Sequence, residues 1–297
     1  MHVTLRQLHV FQAVARHLSF TRAAEELHLS QPAVSMQVRQ LEESVGLPLF
    51  EKTGRQISLT EAGHELNHYS QNICRELDEA AEVMESMKGV NSGHLKIAVA
   101  STINYFAPRL LAAFSKIYPG IELSLLVTNR ESLVQLLKEN EEDLVLMGQP
   151  PEEMDLEWEP FMENPLVVIA APDHPLAGKK NISMQELADE TFVIRETGSG
   201  TRIAIERLFD SAGLKLKKGM QMTRNEAIKQ AVRAAMGVSI VSAHTIELEL
   251  ETSRLAVLDV DGFPLIRHWH LVHRKGKRLS PAARAFRDFV MENATSI

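Results

Sequence analysis

The stretch LHLSQPAVSMQVRQLEESVG, residues 27–46, is the most informative segment of the chain. Its apolar residues Val34, Val38 and Leu41 recur every three or four positions, which predicts a helix with one buried face. Ser30 is a favourable N-cap, Pro32 fits the first turn, and Gly46 is placed to end the helix. The remaining positions carry polar side chains, those of Gln31, Ser35, Gln37, Arg39 and Gln40.

A shorter segment with helical periodicity, residues 20–27, precedes this helix after a turn of about three residues. This arrangement is typical of a helix-turn-helix, whose second helix enters the DNA major groove. Glutamine pairs with adenine, arginine with guanine or a phosphate, and serine with either base. The alternative is an ordinary amphipathic helix whose polar face only contacts solvent.

The segment FEKTGRQISL, residues 50–59, places two cations around a glycine turn between strand-like pieces. It predicts a wing that lies on the DNA backbone or in the minor groove, and it favours the DNA-binding interpretation. The predicted DNA-binding residues of this module, residues 1–60, are Thr21, Gln31, Pro32, Ser35, Gln37, Arg39, Lys52 and Arg55.

Charge and composition limit the class of protein. The net charge is −7, but residues 1–60 hold six Lys or Arg against five Glu, so this module carries +1 and the rest −8. A weakly positive module on an acidic body is compatible with DNA binding. The single cysteine, Cys74, excludes an internal disulfide, and no apolar run is long enough to span a membrane. We therefore expect a cytoplasmic protein.

A long helix is predicted over residues 61–88. Its apolar positions follow a spacing close to a heptad repeat, which a lone surface helix does not require. They are Ala62, Leu66, Tyr69, Ile73, Leu77, Ala80, Met84 and Met87. We expect this linker helix to pair with a second copy of itself, and the Gly-containing segment 89–93 to form a hinge.

The rest of the chain alternates strands and helices. LKIAVA (95–100), IELSLLV (121–127) and DLVLMG (143–148) alternate with helical segments, and a similar series follows. This pattern predicts parallel sheets in two α/β lobes with a cleft between them. Lobe one is expected to comprise about 94–163 and 268–297, and lobe two about 164–267. Ser280 and Pro281 should begin a last helix, ending near Asn293, that packs on lobe one.

Ligands bind at the carboxyl ends of such strands. In lobe two, a glycine-containing turn leads into a helix whose first N–H groups, with nearby hydroxyl and guanidinium groups, suit an anion. The alternative is a glycine turn in which Thr201 only caps the helix. The predicted effector-binding residues are Ser101, Thr102, Thr128, Asn129, Gly148, Arg195, Gly198, Ser199, Gly200, Thr201 and Arg202. We expect a phosphate or a carboxylate there.

The sequence favours neither a metal site nor an enzyme. His268 and His270 share one face of a predicted strand while His273 lies on the other, and GSGT lacks the spacing of a P-loop. Asp173-His174 lies between two prolines and is typical of a turn. We expect no catalytic residue, no metal and no cofactor, only a small-molecule co-inducer.

The segment LRQLHVFQAVARHLSFTRAAEELHLSQPAVSMQVRQLEESVGLPLFEKTGRQISLTEAG, residues 5–63, resembles the N-terminal domain of the LysR-type transcriptional regulators, and the resemblance continues to the end of the chain. It implies an N-terminal all-α winged helix-turn-helix, a coiled-coil linker helix, and a two-lobed α/β effector domain like a periplasmic binding protein. It also implies a dimer of dimers that bends promoter DNA and contacts RNA polymerase.

Three further segments, ASTINYFAPRLLAAF (100–114), NPLVVIAAPDHPLAG (164–178) and RETGSGTR (195–202), resemble the regulators of ribulose bisphosphate carboxylase operons. The resemblance implies an activator of carbon-fixation genes that senses phosphorylated sugars, related anions or reduced nicotinamide nucleotides. Two alternatives remain. One is a LysR-type regulator of inorganic-carbon uptake or another metabolic operon with a carboxylate effector. The other is a cytoplasmic binding protein or enzyme with a vestigial helical N-terminus.

Overall fold

The computed structural model describes residues 2–53, 56–86 and 93–295, which belong to two compact units, Met1–Met87 and Lys88–Ile297. Arg55 of the predicted wing, residues 89–92 of the predicted hinge, and the last two residues of the predicted linker helix lie outside the described residues. No described helix combines the length and the hydropathy needed to cross a membrane.

The N-terminal unit consists of four helices and two strands within its described residues. In chain order these are α1 (Leu5–His17), α2 (Phe20–Glu26), α3 (Gln31–Val45), β1 (Phe50–Thr53), β2 (Gln56–Leu59) and α4 (Glu61–Ser86). The two strands pair in antiparallel fashion and form the predicted wing. The module is therefore a winged helix-turn-helix that is helical except for this wing.

Local capping defines the helix-turn-helix. The Ser30 side chain accepts a hydrogen bond from the backbone N–H of Ala33, and Gly46 ends α3 with φ of 81°. Val34 and Val38 are buried against α1 and α2, and Leu41 is buried in a second cluster with Phe11 of α1, as their spacing predicts. Glu26 at the end of α2 forms an ion pair with Arg16 and a hydrogen bond with His17, both at the end of α1.

The linker helix α4 begins as predicted, because the Thr60 hydroxyl accepts a hydrogen bond from the N–H of Gly63 at 3.0 Å. A Cβ on Gly63 would lie 2.1 Å from the carbonyl oxygen of Leu49, so only glycine fits this close approach. Ala62 and Leu66 pack on the core of their own unit, and this part of the predicted seam is wrong. The exposed remainder is named here the α4 stripe: Tyr69, Ile73, Leu77, Ala80 and Met84.

The second unit contains the two predicted lobes. Its elements are β3 (Gly93–Ala100), α5 (Ala107–Ile117), β4 (Ile121–Thr128), α6 (Arg130–Glu139), β5 (Leu144–Met147), β6 (Leu156–Glu163), β7 (Leu166–Ala170), α7 (Met184–Ala188), β8 (Phe192–Arg195), α8 (Gly200–Ser211), β9 (Lys218–Met222), α9 (Asn225–Arg233), β10 (Ser239–Ser242), α10 (Glu247–Glu251), β11 (Ala256–Leu258), β12 (His268–Arg274) and α11 (Pro281–Asn293). Gly93, predicted in the hinge, begins β3.

Lobe one is built on a sheet of order β4-β3-β5-β12-β6. Strand β3 runs parallel to β4 and β5, and β12 runs antiparallel to β5 and β6. Helices α5 and α11 share one core through Phe114 and Phe286, whose ring centroids are 5.1 Å apart. The last helix therefore packs on lobe one, as predicted. Helix α6 buries Leu133 and Leu137 in a second cluster of the same lobe.

Lobe two departs from the predicted parallel sheet. Strand β7 runs antiparallel to β10 and β11, whereas β8 and β9 are parallel. A buried apolar strand of four or five residues has the same sequence pattern in either direction, so periodicity could not distinguish these arrangements. The chain passes between the lobes near Asn164, between β6 and β7, and near Arg267, between β11 and β12.

Candidate functional site

The exposed face of α3 is the candidate DNA-binding surface. Gln31, Pro32, Ser35 and Arg39 are exposed, and Arg39 donates a hydrogen bond to Glu43 one turn further along the helix. The Arg39–Glu43 pair lies in solvent, where such pairs contribute little to stability. Arg39 is therefore free to exchange its carboxylate partner for a base or a phosphate.

Gln37 differs in position from the other predicted DNA-binding residues of α3, and its role in DNA binding stays a prediction. At about 100° per residue it lies roughly 160° around α3 from Arg39, and its side chain is half-buried. Residue type alone does not distinguish the two sides of this helix, whereas burial does. Thr21 on α2 and Lys52 on β1 are exposed, as a DNA contact requires.

The candidate effector pocket is a cleft between the lobes that is open to solvent, with an enclosed cavity volume of about 30 Å³. Strands β3, β4 and β5 end at or next to it, as the strand-end prediction requires. Predicted residues that line it are Ser101, Thr102, Asn129, Gly148, Arg195, Ser199, Gly200 and Thr201. Three of the eleven predicted residues, Thr128, Gly198 and Arg202, do not line it.

Helix α8 points its N-terminus at this pocket. Ser199 is the N-cap residue but its side chain makes no capping hydrogen bond, and Gly200 begins the helix. The alternative in which Thr201 caps α8 is therefore wrong. The first N–H groups of an α-helix have no acceptor within the helix, so the α8 terminus can donate hydrogen bonds to an anion.

Two arginines that sequence reasoning missed also line the pocket. Arg130 begins α6 and donates to the backbone oxygen of Gln149, while Arg267 donates to the backbone oxygen of Gly200 at 3.3 Å. Among the described residues, no carboxylate lies within salt-bridge distance of either one. Burial, and then the charges of Arg130 and Arg207, lower the pKa of Arg267 below its ordinary value. An anion in the pocket would relieve this repulsion.

Two further residues of the pocket wall hold buried polar atoms without a partner among the described residues. They are the indole Nε1 of Trp269, which is 3% exposed, and the amide oxygen of Asn164, which is 2% exposed. A buried polar atom without a hydrogen bond is costly. Residues that line the pocket therefore carry an unpartnered indole donor and an unpartnered amide acceptor in addition to the cations.

Arg195 has a different role from the predicted one. It is buried, and Glu196 accepts hydrogen bonds from its Nε and Nη2 at 2.7 and 2.9 Å. Its remaining donors reach Asn225 and, across the cleft, Ser101 of lobe one at 3.1 Å. Because Glu196 neutralises this guanidinium, Arg195 supplies little net positive charge to the pocket and instead joins the two lobes.

Arg202 is also a correction. Its guanidinium bonds to Glu206, Gln221 and the backbone oxygen of Arg195, so it points away from the pocket. Thr128 lines a neighbouring groove of the cleft, on the other side of Arg195. Gly198 packs against Glu131 of α6, which leaves no room for a Cβ.

A sequence signal for the missed arginines existed in part. Arg130 directly follows the predicted strand end Thr128-Asn129 and could have been included with it. Arg267 precedes the three histidines that sequence reasoning considered as metal ligands. In the structure His270 instead contacts the backbone oxygen of Gly148, and no cluster of three potential metal ligands occurs within residues 2–53, 56–86 and 93–295.

Comparison with known proteins agrees with both units. Residues 5–64 match the family described as "Bacterial regulatory helix-turn-helix protein, lysR family", and residues 88–295 match "LysR substrate binding domain". The chain belongs to the LysR family. The predicted family and fold class are thereby confirmed, as is the prediction of a transcriptional regulator and not an enzyme.

Among LysR relatives, the RuBisCO operon transcriptional regulator of Allochromatium vinosum is 66% identical over 294 residues, which cover 99% of this chain and 97% of that protein. The HTH-type transcriptional activator CmpR of Synechocystis sp. is 46% identical over 294 residues, with the same coverage of 99% and 97%. The chain is thus similar to these regulators over nearly its full length.

Solved LysR structures show the same architecture. The Synechocystis PCC6803 CcmR regulatory domain in complex with 2-PG has 46% identity and a TM-score of 0.67, and the match covers 69% of this chain and 99% of that one. Full-length CbnR complexed with its target DNA has 23% identity and a TM-score of 0.70, with coverage of 98% and 99%. The CbnR match supports the fold alone.

Proposed function

We propose that this protein activates carbon-fixation genes in response to a small phosphorylated metabolite, and that it acts in the cytoplasm. The names of its relatives support the gene class, since one regulates a RuBisCO operon and another is a transcriptional activator. The observation that carries the effector class is the pair Arg130 and Arg267, which line the pocket without a carboxylate partner.

The pocket is better suited to a phosphate than to a neutral ligand. Two guanidinium groups, the α8 N-terminus and the Trp269 indole are all donors, and Ser101, Thr102 and Thr201 add hydroxyl groups. Phosphate oxygens accept several charge-assisted hydrogen bonds at once. The related CcmR domain was solved with 2-PG, which we take as 2-phosphoglycolate, and this supports the same class of effector here.

The proposed assembly is a dimer of dimers on promoter DNA that also contacts RNA polymerase. The exposed α4 stripe supports pairing of linker helices, because burying apolar side chains at near-heptad spacing against a second helix is favourable. The exposed polar side of α3 supports DNA binding. Effector binding changes the relative stability of two arrangements of the assembly, and thereby the DNA bend.

Thermal melting of the full chain tests the proposed effector. The panel contains 2-phosphoglycolate, ribulose bisphosphate, phosphoenolpyruvate, reduced nicotinamide nucleotides, inorganic phosphate and an aromatic carboxylate. A true effector at about 100 times its dissociation constant should stabilise the folded state by about 2.7 kcal/mol. The stabilisation should disappear in Arg267→Gln and persist in Arg254→Gln, which removes an exposed charge outside the pocket.

Stabilisation by the aromatic carboxylate alone would contradict a phosphorylated effector. The alternative operon class, inorganic-carbon uptake or another metabolic pathway, is tested by gel shift. The protein should bind DNA upstream of RuBisCO genes in a salt-dependent manner and respond to the stabilising metabolite. Tighter binding to a promoter of inorganic-carbon uptake genes would support a regulator of that operon class instead.

A further inference from the structure

Met36 is an exposed apolar side chain on helix α3. It is 53% exposed, and within the described part of the N-terminal unit it belongs to neither core cluster. Single exposed apolar residues are common on protein surfaces, so the exposure of Met36 alone indicates no function. Its position on the helix is what distinguishes it.

Met36 lies directly opposite the buried face of α3. The buried residues Val34 and Val38 precede and follow it by two positions, and at about 100° per residue each lies roughly 160° around the helix from it. The exposed residues Arg39 and Gln40 of the next turn lie roughly 60° to one side of it and 40° to the other. Met36 is therefore the central residue of the exposed face, and it is apolar whereas these neighbours are polar.

Met36 also belongs to the half of α3 that approaches DNA. It is the sixth of the fifteen residues of this helix, and the second helix of a helix-turn-helix contacts base edges with its N-terminal residues. Helical side chains lean towards the N-terminus, so Met36 leans towards the exposed Pro32 one turn earlier. An unbranched thioether side chain adapts its shape to an irregular surface. Met36 is therefore placed to reach the floor of the major groove.

The chemistry of methionine restricts its partner on DNA. The thioether sulfur is a weak acceptor and donates no hydrogen bond, so Met36 cannot form the paired hydrogen bonds by which glutamine recognises adenine or arginine recognises guanine. It also carries no charge with which to bind a phosphate. The apolar group that the major groove displays is the C5-methyl of thymine. Contact between this methyl group and Met36 removes apolar surface of both from water, which is favourable.

We propose that Met36 recognises a thymine of the operator through contact with its C5-methyl group. The contact adds an apolar determinant of sequence specificity at the centre of a recognition face whose other residues bind through hydrogen bonds and charge. This inference rests on the proposed function for the binding of α3 in the major groove. It is independent of the identity of the effector and of the genes that are regulated.

Gel shifts of the full chain with modified operator DNA test this proposal. The operator is first located by footprinting on the promoter DNA that the protein binds. Each thymine is then replaced in turn by deoxyuridine, which lacks the C5-methyl group and keeps every hydrogen-bonding group. The wild-type protein should lose about fourfold in affinity at one thymine of each half-site, which is the effect of one buried methyl group. Met36→Ala should bind the unmodified operator at least as weakly, and should lose nothing further at that thymine.

Two further variants separate this contact from other effects of the substitutions. Met36→Leu keeps an apolar side chain of similar size and should retain the sensitivity to the thymine methyl. The matched control, Met291→Ala, removes a methionine that is 39% exposed on α11 of the second unit, and it should give the wild-type profile. Deoxyuridine at other thymines should affect all variants alike, which separates a lost contact from a change in DNA shape. Circular dichroism checks that each variant folds.

The outcomes separate this inference from the proposed function. Sensitivity at one thymine that is lost in Met36→Ala and retained in Met36→Leu supports the contact. An identical deoxyuridine profile of the wild-type protein and Met36→Ala overturns it, as does a wild-type profile in which no thymine methyl matters. In both of these cases the binding of operator DNA still stands. Failure of the wild-type protein to bind any promoter DNA more tightly than an unrelated sequence overturns both.

Discussion

Asn164 and Arg267 exchange two backbone hydrogen bonds, 2.7 Å from the amide of Asn164 and 3.3 Å from the amide of Arg267. They lie at the two places where the chain passes between the lobes. Both side chains also line the effector pocket. A ligand that binds Arg267 therefore acts directly on the segment that connects the lobes.

Gly198→Ala should destabilise the junction between the lobes. Gly198 has φ of 86°, and a Cβ there would lie 2.4 Å from the Oε2 and 3.0 Å from the Cβ of Glu131. The left-handed backbone alone costs alanine about 1–2 kcal/mol. The control is Gly213→Ala, because Gly213 has φ of 68° but a Cβ there would meet nothing within 4 Å. Urea unfolding should show a larger loss in the free energy of unfolding for Gly198→Ala than for Gly213→Ala. Equal losses would show that Glu131 moves aside freely.

Arg195→Met should be strongly destabilising, by about 3–5 kcal/mol, because it leaves the buried Glu196 carboxylate without its cation. Replacing both residues, as in Arg195→Met with Glu196→Leu, should recover part of this loss. The control is Lys180→Met, whose ion pair with Asp259 is exposed to solvent, so a loss of about 1 kcal/mol or less is expected. Similar losses of stability in urea unfolding for Arg195→Met and Lys180→Met would contradict the role of Arg195.

His270 should make stability depend on pH. Burial lowers the pKa of His270, the Gly148 hydrogen bond opposes this, and His268 and Arg267 lower the pKa further. The folded state then binds the proton less readily than the unfolded state. This contribution to stability is complete above the unfolded pKa of about 6.5 and is lost as the pH falls below it.

The free energy of unfolding should therefore fall more between pH 7.5 and pH 5.5 for the wild-type protein than for His270→Asn, which retains a side-chain donor for the Gly148 carbonyl. An identical pH dependence of the wild-type protein and His270→Asn would exclude this role.

Arg39→Ala and Ser35→Ala should each weaken operator binding, by about 1–3 kcal/mol if the residue contacts a base. Gln37→Ala should have a smaller effect, because Gln37 is half-buried and lies on another side of α3. Gel shifts measure the affinities, and circular dichroism checks that each variant folds. Unchanged affinity in both Arg39→Ala and Ser35→Ala would contradict the recognition-helix assignment.

Ile73→Asp should disrupt self-association through the α4 stripe. Ile73 is 46% exposed at the middle of this stripe, and a carboxylate there would be desolvated against a partner helix. Sedimentation equilibrium should show a smaller assembly for this variant. The control is Gln71→Asp, which lies roughly 160° around the helix from Ile73 and should keep the oligomeric state of the wild-type protein. If Ile73→Asp retains the full assembly, self-association does not occur through the α4 stripe.

Features that depend on residues close together in the sequence could be predicted from the sequence alone. Helix α3 begins after Ser30 and ends at Gly46, and α11 begins after Ser280, because caps and periodicity act over one or two turns. The polar ends of β3, β4 and β5 were recognisable for the same reason, and so was the resemblance to LysR regulators. The direction of the strands in lobe two could not be predicted from the sequence, because it depends on which strands pair with β7.

The cations of the pocket required the folded chain. Arg195 and Arg202 follow a predicted strand and turn, yet Glu196 neutralises the first and Glu206 turns the second away. Arg130 and Arg267 are separated by more than a hundred residues and meet only at the lobe junction. Local sequence patterns report which residues form a helix or strand, but burial and charge pairing arise from distant segments. Tertiary packing therefore determines which arginines line the effector pocket.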